Sequence, residues 1–241
     1  MEKLVRGHVL KHLQDNKLIS GEQHGFVPGR STITQLLVVM DTWTKIIDEG
    51  GTVDVVYMDY QKAFDSVPHR RLMEKIKAHG IGGKIRNWIE DFLKHRKQQV
   101  VTNGIHSLEA EVTSGIPQGS VLGPLLLIIL INDLPQLVKS AVKMFADDTK
   151  LYGNSSTNQG IEELQRDLDQ LQQWSDRWLL RFHPQKCAVM KLGTNKSEAS
   201  YSMPVKEADG STGRLTLTEI EAEKDLGQQL EVRTSHCPHN S

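Results

Sequence analysis

Apolar residues recur every three or four positions in several segments of the chain, a spacing that predicts amphipathic helices. The most regular segment is Asn158–Leu180, whose apolar positions are Ile161, Leu164, Leu168, Leu171 and Trp174. Similar patterns predict four more helices: Met1–Leu18, Ser31–Asp48, Pro68–His79 and Ile81–Gln99. We interpret their apolar faces as core packing rather than as a cofactor site.

Strand-like segments lie between these helices. Val53–Asp59 and Cys187–Leu192 are short apolar and β-branched runs, and Gln99–Thr113 predicts a hairpin that turns at Asn103-Gly104. A second hairpin is expected around Phe145–Asp148, and the polar segment Asn195–Gly213 is expected to be a mobile loop. The order β-α-β-β-α-β predicts an α+β fold with the split βαβ arrangement.

Length and charge limit the class of protein without deciding it. The chain has 241 residues, enough for one or two domains, and its 29 basic and 30 acidic residues nearly balance. A free-standing nucleic-acid-binding protein is more often basic overall. From Lys62 to Lys97, however, ten Lys or Arg residues face four Asp or Glu. The basic residues of this segment either contact the phosphates of a nucleic acid or simply lie on solvent-exposed helix faces.

Cysteine content and hydropathy favour an intracellular protein, in the cytoplasm or nucleus, that is not secreted and has no membrane segment. Only Cys187 and Cys237 occur, which does not indicate a disulfide framework. The longest apolar run, Val121–Ile131, is too short to span a bilayer and predicts a buried helix instead. The oligomeric state stays open.

Three segments carry candidate chemistry. Asp147 and Asp148 are adjacent at a predicted turn, where two like charges repel unless a cation lies between them; ordinary turn chemistry is the alternative. Asp59 ends an apolar strand, whereas Asp65 stands before a helix and is expected to be structural. The loop Gly115–Ser120 contains two glycines, which allow close approach of the backbone to a ligand.

Taken in order, these segments resemble the A, B and C motifs of reverse transcriptases: Tyr57-Met58-Asp59-Tyr60-Gln61-Lys62-Ala63-Phe64-Asp65, Gly115-Ile116-Pro117-Gln118-Gly119-Ser120 and Phe145-Ala146-Asp147-Asp148. Residues 23–31 resemble a fingers motif, residues 180–187 a D motif, and residues 222–227 the start of a primer grip. The motif with alanine before the Asp pair resembles the corresponding motif in reverse transcriptases of non-LTR, LINE-type retrotransposons (CR1- or jockey-like). The resemblance covers roughly residues 1–230.

The resemblance implies an RNA-directed DNA polymerase with a polymerase palm, a ferredoxin-like βαββαβ sheet, and a partial, mostly helical fingers subdomain. It implies that Asp59, Asp147 and Asp148 are catalytic and hold two Mg²⁺ ions, for which Mn²⁺ could substitute. The implied partners are an RNA template, a DNA primer and dNTPs. An alternative is a catalytically silent remnant that binds nucleic acid, and a third, an RNA-dependent RNA polymerase, is disfavoured by Phe64.

The same resemblance assigns roles to further residues. Tyr60, Phe64, Gln118, Gly119 and Lys186 are expected to bind the nucleotide. Phe64 would exclude a 2′-hydroxyl or simply pack under the strand, and Lys186 would donate a proton to pyrophosphate or be a surface lysine. Two further residues are expected to contact the template or other nucleic acid: Arg30 and Pro117.

The implied division of the chain has five parts. Residues 1–50 correspond to partial fingers, 51–80 to the first palm strand and helix, and 81–112 to a fingers/palm helix and hairpin. Residues 113–193 correspond to the palm with the catalytic hairpin, and 194–241 to a loop, an incomplete primer grip and a divergent tail. Relative to the family pattern, the chain is expected to be truncated at both ends.

Overall fold

A computed structural model describes residues 1–206 and 211–231. Within these ranges the helices are α1 (Glu2–Asp15), α2 (Thr32–Asp48), α3 (Ala63–Ser66), α4 (His69–Ala78), α5 (Gly83–Leu93), α6 (Gly123–Ile131) and α7 (Asn158–Trp178), with a short 3₁₀ helix at Leu134–Gln136. The strands are β1 (Val53–Met58), β2 (Lys97–Gln98), β3 (Val101–Thr102), β4 (Ile105–His106), β5 (Ala110–Glu111), β6 (Ala141–Phe145), β7 (Asp148–Asn154), β8 (Ala188–Leu192), β9 (Ser202–Lys206), β10 (Thr212–Thr216), β11 (Thr218–Ile220), β12 (Ala222–Asp225) and β13 (Gln228–Glu231). The predicted mixture of helices and strands is confirmed.

The main sheet has five strands in the order β11-β8-β1-β7-β6. β1 lies between β7 and β8 and pairs with both in antiparallel fashion, and β6 pairs antiparallel with β7. Only β11 runs parallel to its neighbour, β8. Strands distant in sequence therefore meet around β1, and the end of β1 lies beside the start of β7.

Successive side chains of a strand point to opposite faces of the sheet, and in β1 both sets are mostly apolar and buried. Helices therefore cover both faces of this sheet. On one face, Trp43 of α2 packs with Val53 and Val55, and its ring meets that of Tyr152 edge to face at 5.7 Å. On the other face, Val56 joins the large core that includes α4, α6 and α7. α6 is apolar on all sides and buried, as its sequence predicts.

Of two local predictions for residues 81–113, the structure corrects one and confirms the other. The helix expected over Ile81–Gln99 ends at Leu93, because Lys94 is extended and His95 adopts a positive φ of 57°. The hairpin turn at Asn103-Gly104 is confirmed, and both residues have positive φ, as type I′ turns require.

The segment Asn195–Gly213 is only in part the loop that its polarity suggested. Residues 195–201 have no helix or strand, but β9 and the start of β10 follow, and residues 207–210 lie outside the described part. β9 and β10 pair with each other, and Tyr201 and Met203 are buried. The Tyr201 hydroxyl donates to Oδ2 of Asp54 at 2.8 Å, and Ser197 Oγ donates to the same oxygen at 2.7 Å. A buried carboxylate on β1 thus fixes a segment whose own residues carry no strong strand pattern.

None of the helices that the structure describes has the length and apolar character needed to cross a membrane. Cys187 is a buried free thiol, and burial raises its pKa to about 11. Cys237 lies outside the described residues.

The Asp54–Tyr201 contact predicts a stability effect. Tyr201→Phe removes a hydroxyl donor from a fully buried carboxylate, so we expect a loss of about 1–3 kcal/mol in the free energy of unfolding. Tyr57→Phe is the matched control, because the Tyr57 hydroxyl has no hydrogen-bond partner among the described residues. Urea denaturation measures both changes; equal values for the two variants would contradict this role of Tyr201.

Candidate active site

A two-residue turn, Ala146-Asp147, joins β6 to β7, and Phe145 pairs with Asp148 across it. Ala146 has a positive φ of 57°, as the first central residue of a primed hairpin turn requires. Asp147 is half-buried, and Asp148, which begins β7, is exposed. The expected tight turn beneath the Asp pair is therefore present.

Asp59 lies immediately beyond the end of β1. The last pair between β1 and β7 is Met58 with Thr149. Asp59 therefore lies beside Asp148, where the end of β1 meets the start of β7; we call this end of the sheet the acidic edge. A backbone hydrogen bond fixes the main chain of Asp59, because its carbonyl oxygen accepts a hydrogen bond from the N–H of His183 at 2.8 Å. Its carboxylate has the ammonium of Lys186 at 3.7 Å.

Burial and mutual repulsion shift the acidities of these groups. Burial raises the pKa of Asp147; a backbone hydrogen bond opposes the shift, and the Asp59 charge adds to it. Although Asp148 is exposed as a whole residue, partial burial of its carboxylate among the surrounding protein atoms raises its pKa to about 6, with further contributions from Asp147 and Asp225 that Lys150 partly offsets. A cation at this edge would relieve both the burial penalty and the repulsion.

The predicted three-carboxylate metal site is not present as a compact cluster. Among the described residues, no three His, Cys, Asp or Glu side chains are grouped closely enough to hold one metal ion. The adjacent positions of Asp147 and Asp148 give a physical reason, because neighbouring side chains at the start of a strand diverge. The Lys186 ammonium beside Asp59 supplies a positive charge there instead.

The loop Gly115–Ser120 is tied to α3, the short helix that follows Asp59. The N–H of Gly115 donates to the carbonyl of Val67 at 2.8 Å, and that of Ile116 donates to the carbonyl of Phe64 at 2.7 Å. Gly115 has a φ of +89°, and a Cβ there would lie 2.7 Å from the carbonyl oxygen of Asp65. The glycine is thus required for this close approach.

The residues expected to bind nucleotide lie in different environments. Gly119 and Gln118 are exposed, and Gln118 Nε2 donates to Oδ1 of Asp65 at 3.2 Å, which supports a structural role for Asp65. Phe64 is half-buried and packs against the core. Tyr60 is only 4% exposed and its ring stacks on Phe182 with centroids 4.6 Å apart. Burial therefore argues against direct contact between the Tyr60 ring and a nucleotide.

Two clefts divide the predicted site residues. A small cleft of about 160 Å³ brings Asp59, Asp148 and Lys186 together. A separate cleft of about 440 Å³ is lined by the loop that carries Pro117 and Gln118. Asp59 and Asp148 on one side and this loop on the other therefore line two clefts rather than one enclosed pocket.

Arg30 is engaged within the chain. Its Nη1 donates to the carbonyl oxygen of Ser20 at 2.8 Å and also to that of Gln23. These bonds give Arg30 a structural role in the segment before α2. Its contact with a template stays a prediction.

Comparison with known proteins decides the family. The family model for reverse transcriptase (RNA-dependent DNA polymerase) matches residues 1–223. The chain belongs to the reverse transcriptase family. The probable RNA-directed DNA polymerase from transposon BS of Drosophila melanogaster is 29% identical over 99% of this chain and 26% of its own length. That from the mobile element jockey of the same species is 30% identical over 78% of this chain and 21% of its own length.

The chain therefore spans about a quarter of the length of these curated relatives. Among solved structures, apo telomerase from Candida tropicalis superposes with a TM-score of 0.60 at 11% identity, over 95% of this chain and 44% of that chain. Telomerase from Candida albicans, in complex with a fragment of telomeric RNA, gives 0.62 at 12% identity, over 88% of this chain and 38% of that chain. Identities this low show a shared fold alone.

Sequence reasoning missed one charged pair beside the reverse transcriptase motifs. Lys150 of β7 and Asp225 of β12 form a salt bridge in which the two side chains are 2% and 4% exposed. Burial lowers the pKa of Lys150, and the Asp225 charge opposes that shift. Lys150 stands two positions after Asp148, so strand alternation could have placed it on the same face; nothing local points to Asp225.

The loop geometry predicts unequal effects for two glycine substitutions. Gly115→Ala and Gly119→Ala both place alanine at a positive φ, a strain of about 1–2 kcal/mol. Only Gly115→Ala also forces a Cβ against the Asp65 carbonyl, which adds about 1–3 kcal/mol of overpacking. Thermal unfolding should show a clearly lower Tm for Gly115→Ala than for Gly119→Ala. Similar Tm values would mean that the loop moves away from α3 at little cost.

Proposed function

We propose that this chain is the polymerase part of a LINE-type RNA-directed DNA polymerase, which extends a DNA primer along an RNA template using dNTPs. The observation that carries the proposal is the acidic edge formed by Asp59, Asp147 and Asp148, where burial and the Asp59 charge raise the pKa values of Asp147 and Asp148. These residues occupy the A and C motifs of a chain that matches the reverse transcriptase family over residues 1–223.

The donor set of this edge fits a divalent cation. Asp59 and Asp147 would hold Mg²⁺, with Asp148 on the primer side. Mg²⁺ is ordinarily bound by one or two carboxylates together with water and substrate phosphates, so a compact group of three protein ligands is not required. Bound Mg²⁺, or Mn²⁺ in its place, would lower the pKa of the primer 3′-hydroxyl and stabilise the charge on the leaving pyrophosphate.

The other residues would orient the reactants. Lys186 is exposed and its Nζ lies 3.7 Å from the Asp59 carboxylate, a place from which it could donate a proton to the leaving pyrophosphate. Phe64 would lie below the incoming sugar. Gln118 and Gly119 would contact the incoming nucleotide, and Pro117, on the same loop, would face the template.

The sheet supports assignment of residues 51–80 and 113–193 to a palm of the ferredoxin-like type. β1, β6, β7 and β8 would be its four strands, with helices after the first and third. Residues 1–50 would form part of the fingers, and residues 81–112 would link fingers and palm. Residues 194–231 would begin the primer grip; the tail from residue 232 lies outside the described structure.

A second candidate is a catalytically silent chain that only binds nucleic acid. Two observations favour it: the Lys186 ammonium beside Asp59, and the lack of a compact three-ligand group in the described part of the chain. Both candidates keep the same motifs, so only activity separates them. An intracellular location is expected under either.

Primer extension tests the proposal. A labelled DNA primer on an RNA template, incubated with the purified protein, dNTPs and Mg²⁺, should be extended, and Asp147→Asn should reduce extension by at least about 100-fold. Asp91→Asn, an exposed carboxylate on α5, should leave it unchanged. Extension that survives Asp147→Asn would overturn the mechanism, and binding of the duplex without extension would favour the silent candidate.

Phe64 should select the sugar. Phe64→Ala removes the ring that would contact a 2′-hydroxyl, so incorporation of ribonucleotides should rise relative to deoxyribonucleotides, by an amount equivalent to about 1–3 kcal/mol. Phe92→Ala is the control, because Phe92 is also partly buried against the core but lies on α5. Competition assays with paired nucleotides measure the ratio. Unchanged selectivity in the Phe64 variant would remove this assignment.

A further inference from the structure

The segment just before α2 lies against the catalytic turn and extends the edge of the sheet. Glu22, Gln23 and His24 run parallel to β6, the edge strand. The N–H of His24 donates to the carbonyl of Met144 at 2.8 Å, and the N–H of Met144 donates to the carbonyl of Glu22 at 3.0 Å. These backbone bonds bring the Gln23 side chain to the turn that carries Asp147.

The carboxamide of Gln23 binds both main-chain polar groups of Ala146. Gln23 Oε1 accepts from the N–H of Ala146 at 2.9 Å, and Nε2 donates to the Ala146 carbonyl at 3.2 Å. The same oxygen accepts from the N–H of Gly25 at 2.8 Å. Only Asn and Gln side chains combine a planar donor and acceptor in this way, and Gln23 is completely buried.

Ala146 depends on such support for two reasons. Its positive φ is unfavourable for a residue with a Cβ, so surrounding contacts must hold the conformation. Ala146 is also buried, and without the carboxamide its N–H and carbonyl would have no hydrogen-bond partner among the described residues. The residue that follows is Asp147, so the orientation of the Asp147 carboxylate depends on how firmly Ala146 is held.

Other contacts fix Gln23 itself. Arg30 binds the Gln23 carbonyl and that of Ser20, and Lys143 of β6 forms an ion pair with Glu22. Gly25 lies so close to the turn that a Cβ there would be 2.2 Å from the Ala146 nitrogen. Residues 22–25 therefore pack closely against the Ala146-Asp147 turn, and both hydrogen bonds and an ion pair fix them there.

We propose that Gln23 is a positioning residue for the catalytic turn: its carboxamide holds the Ala146 main chain and thereby orients Asp147. The description of the turn as catalytic rests on the proposed function. The two hydrogen bonds between the Gln23 carboxamide and Ala146, which we call the brace, do not depend on the proposed function.

Amide hydrogen exchange measures the brace directly, in the metal-free full chain. In the wild type, the Ala146 N–H should exchange as slowly as the amides at the centre of β1, although it lies in a hairpin turn. Rapid exchange of Ala146 in the wild type would overturn the proposal, whatever any variant does.

Gln23→Met keeps the size of the side chain and removes both hydrogen bonds to Ala146, together with the one from the Gly25 N–H. Exchange of Ala146 and Asp147 should rise on the order of tenfold, which corresponds to one lost hydrogen bond, while the amides of β8 stay unchanged. Gln35→Met is the matched control: Gln35 is also fully buried, but its amide atoms have no hydrogen-bond partner among the described residues. A uniform rise across the sheet, or the same rise with Gln35→Met, would reduce Gln23 to a general packing residue and overturn the proposal.

Binding of Mn²⁺, followed by its electron paramagnetic resonance signal, separates positioning from structure alone. Gln23→Met should weaken binding, and Gln35→Met should not. Weakened turn protection with unchanged Mn²⁺ affinity would overturn the positioning role. If the wild type binds no Mn²⁺, the proposed function fails, while the exchange measurements still decide whether the brace exists.

Discussion

The acidic edge depends on one backbone conformation, the left-handed geometry of Ala146. That conformation lets β6 turn into β7 with only two residues between them, so that Asp147 and Asp148 lie beside the end of β1. An alanine adopts it only where contacts compensate for the strain. The parallel segment before α2 supplies those contacts through main-chain and side-chain hydrogen bonds. The edge is thus assembled by three parts of the chain that are far apart in sequence.

Two kinds of charged group lie at the acidic edge: carboxylates that form no ion pair with a buried cation among the described residues, and one buried ion pair. Asp147 and Asp148 are partly desolvated and lie close enough to the Asp59 charge for it to raise their pKa values further, an arrangement that disfavours their charged state. Behind them, Lys150 and Asp225 form a buried pair that connects β7 with the hairpin of β12 and β13. A buried pair gives little net stability, but removal of either partner would leave an unpaired buried charge. The hairpin is therefore tied to the strand that begins with Asp148.

Local sequence patterns were sufficient for the features that depend on neighbours in the chain. Strand β1 before Asp59, the turn at the Asp pair and the helix α7 follow from apolar periodicity and turn chemistry. Features that depend on distant residues were not accessible. The fixed position of Tyr201 requires Asp54, the buried Tyr60 ring requires Phe182, and the Ala146 conformation requires Gln23, which lies 123 positions away. Each of these contacts forms only once the sheet brings the segments together.

The central claim is that the acidic edge binds the divalent cations of nucleotidyl transfer, and anomalous X-ray diffraction tests it most directly. Crystals of the protein with primer–template, a non-hydrolysable dNTP and Mn²⁺ should show two manganese peaks about 4 Å apart, in contact with Asp59 and Asp147. Carboxylates of Asp59 and Asp147 that stay more than about 8 Å apart, or manganese bound only elsewhere, would contradict the account, because one pair of cations could not reach both.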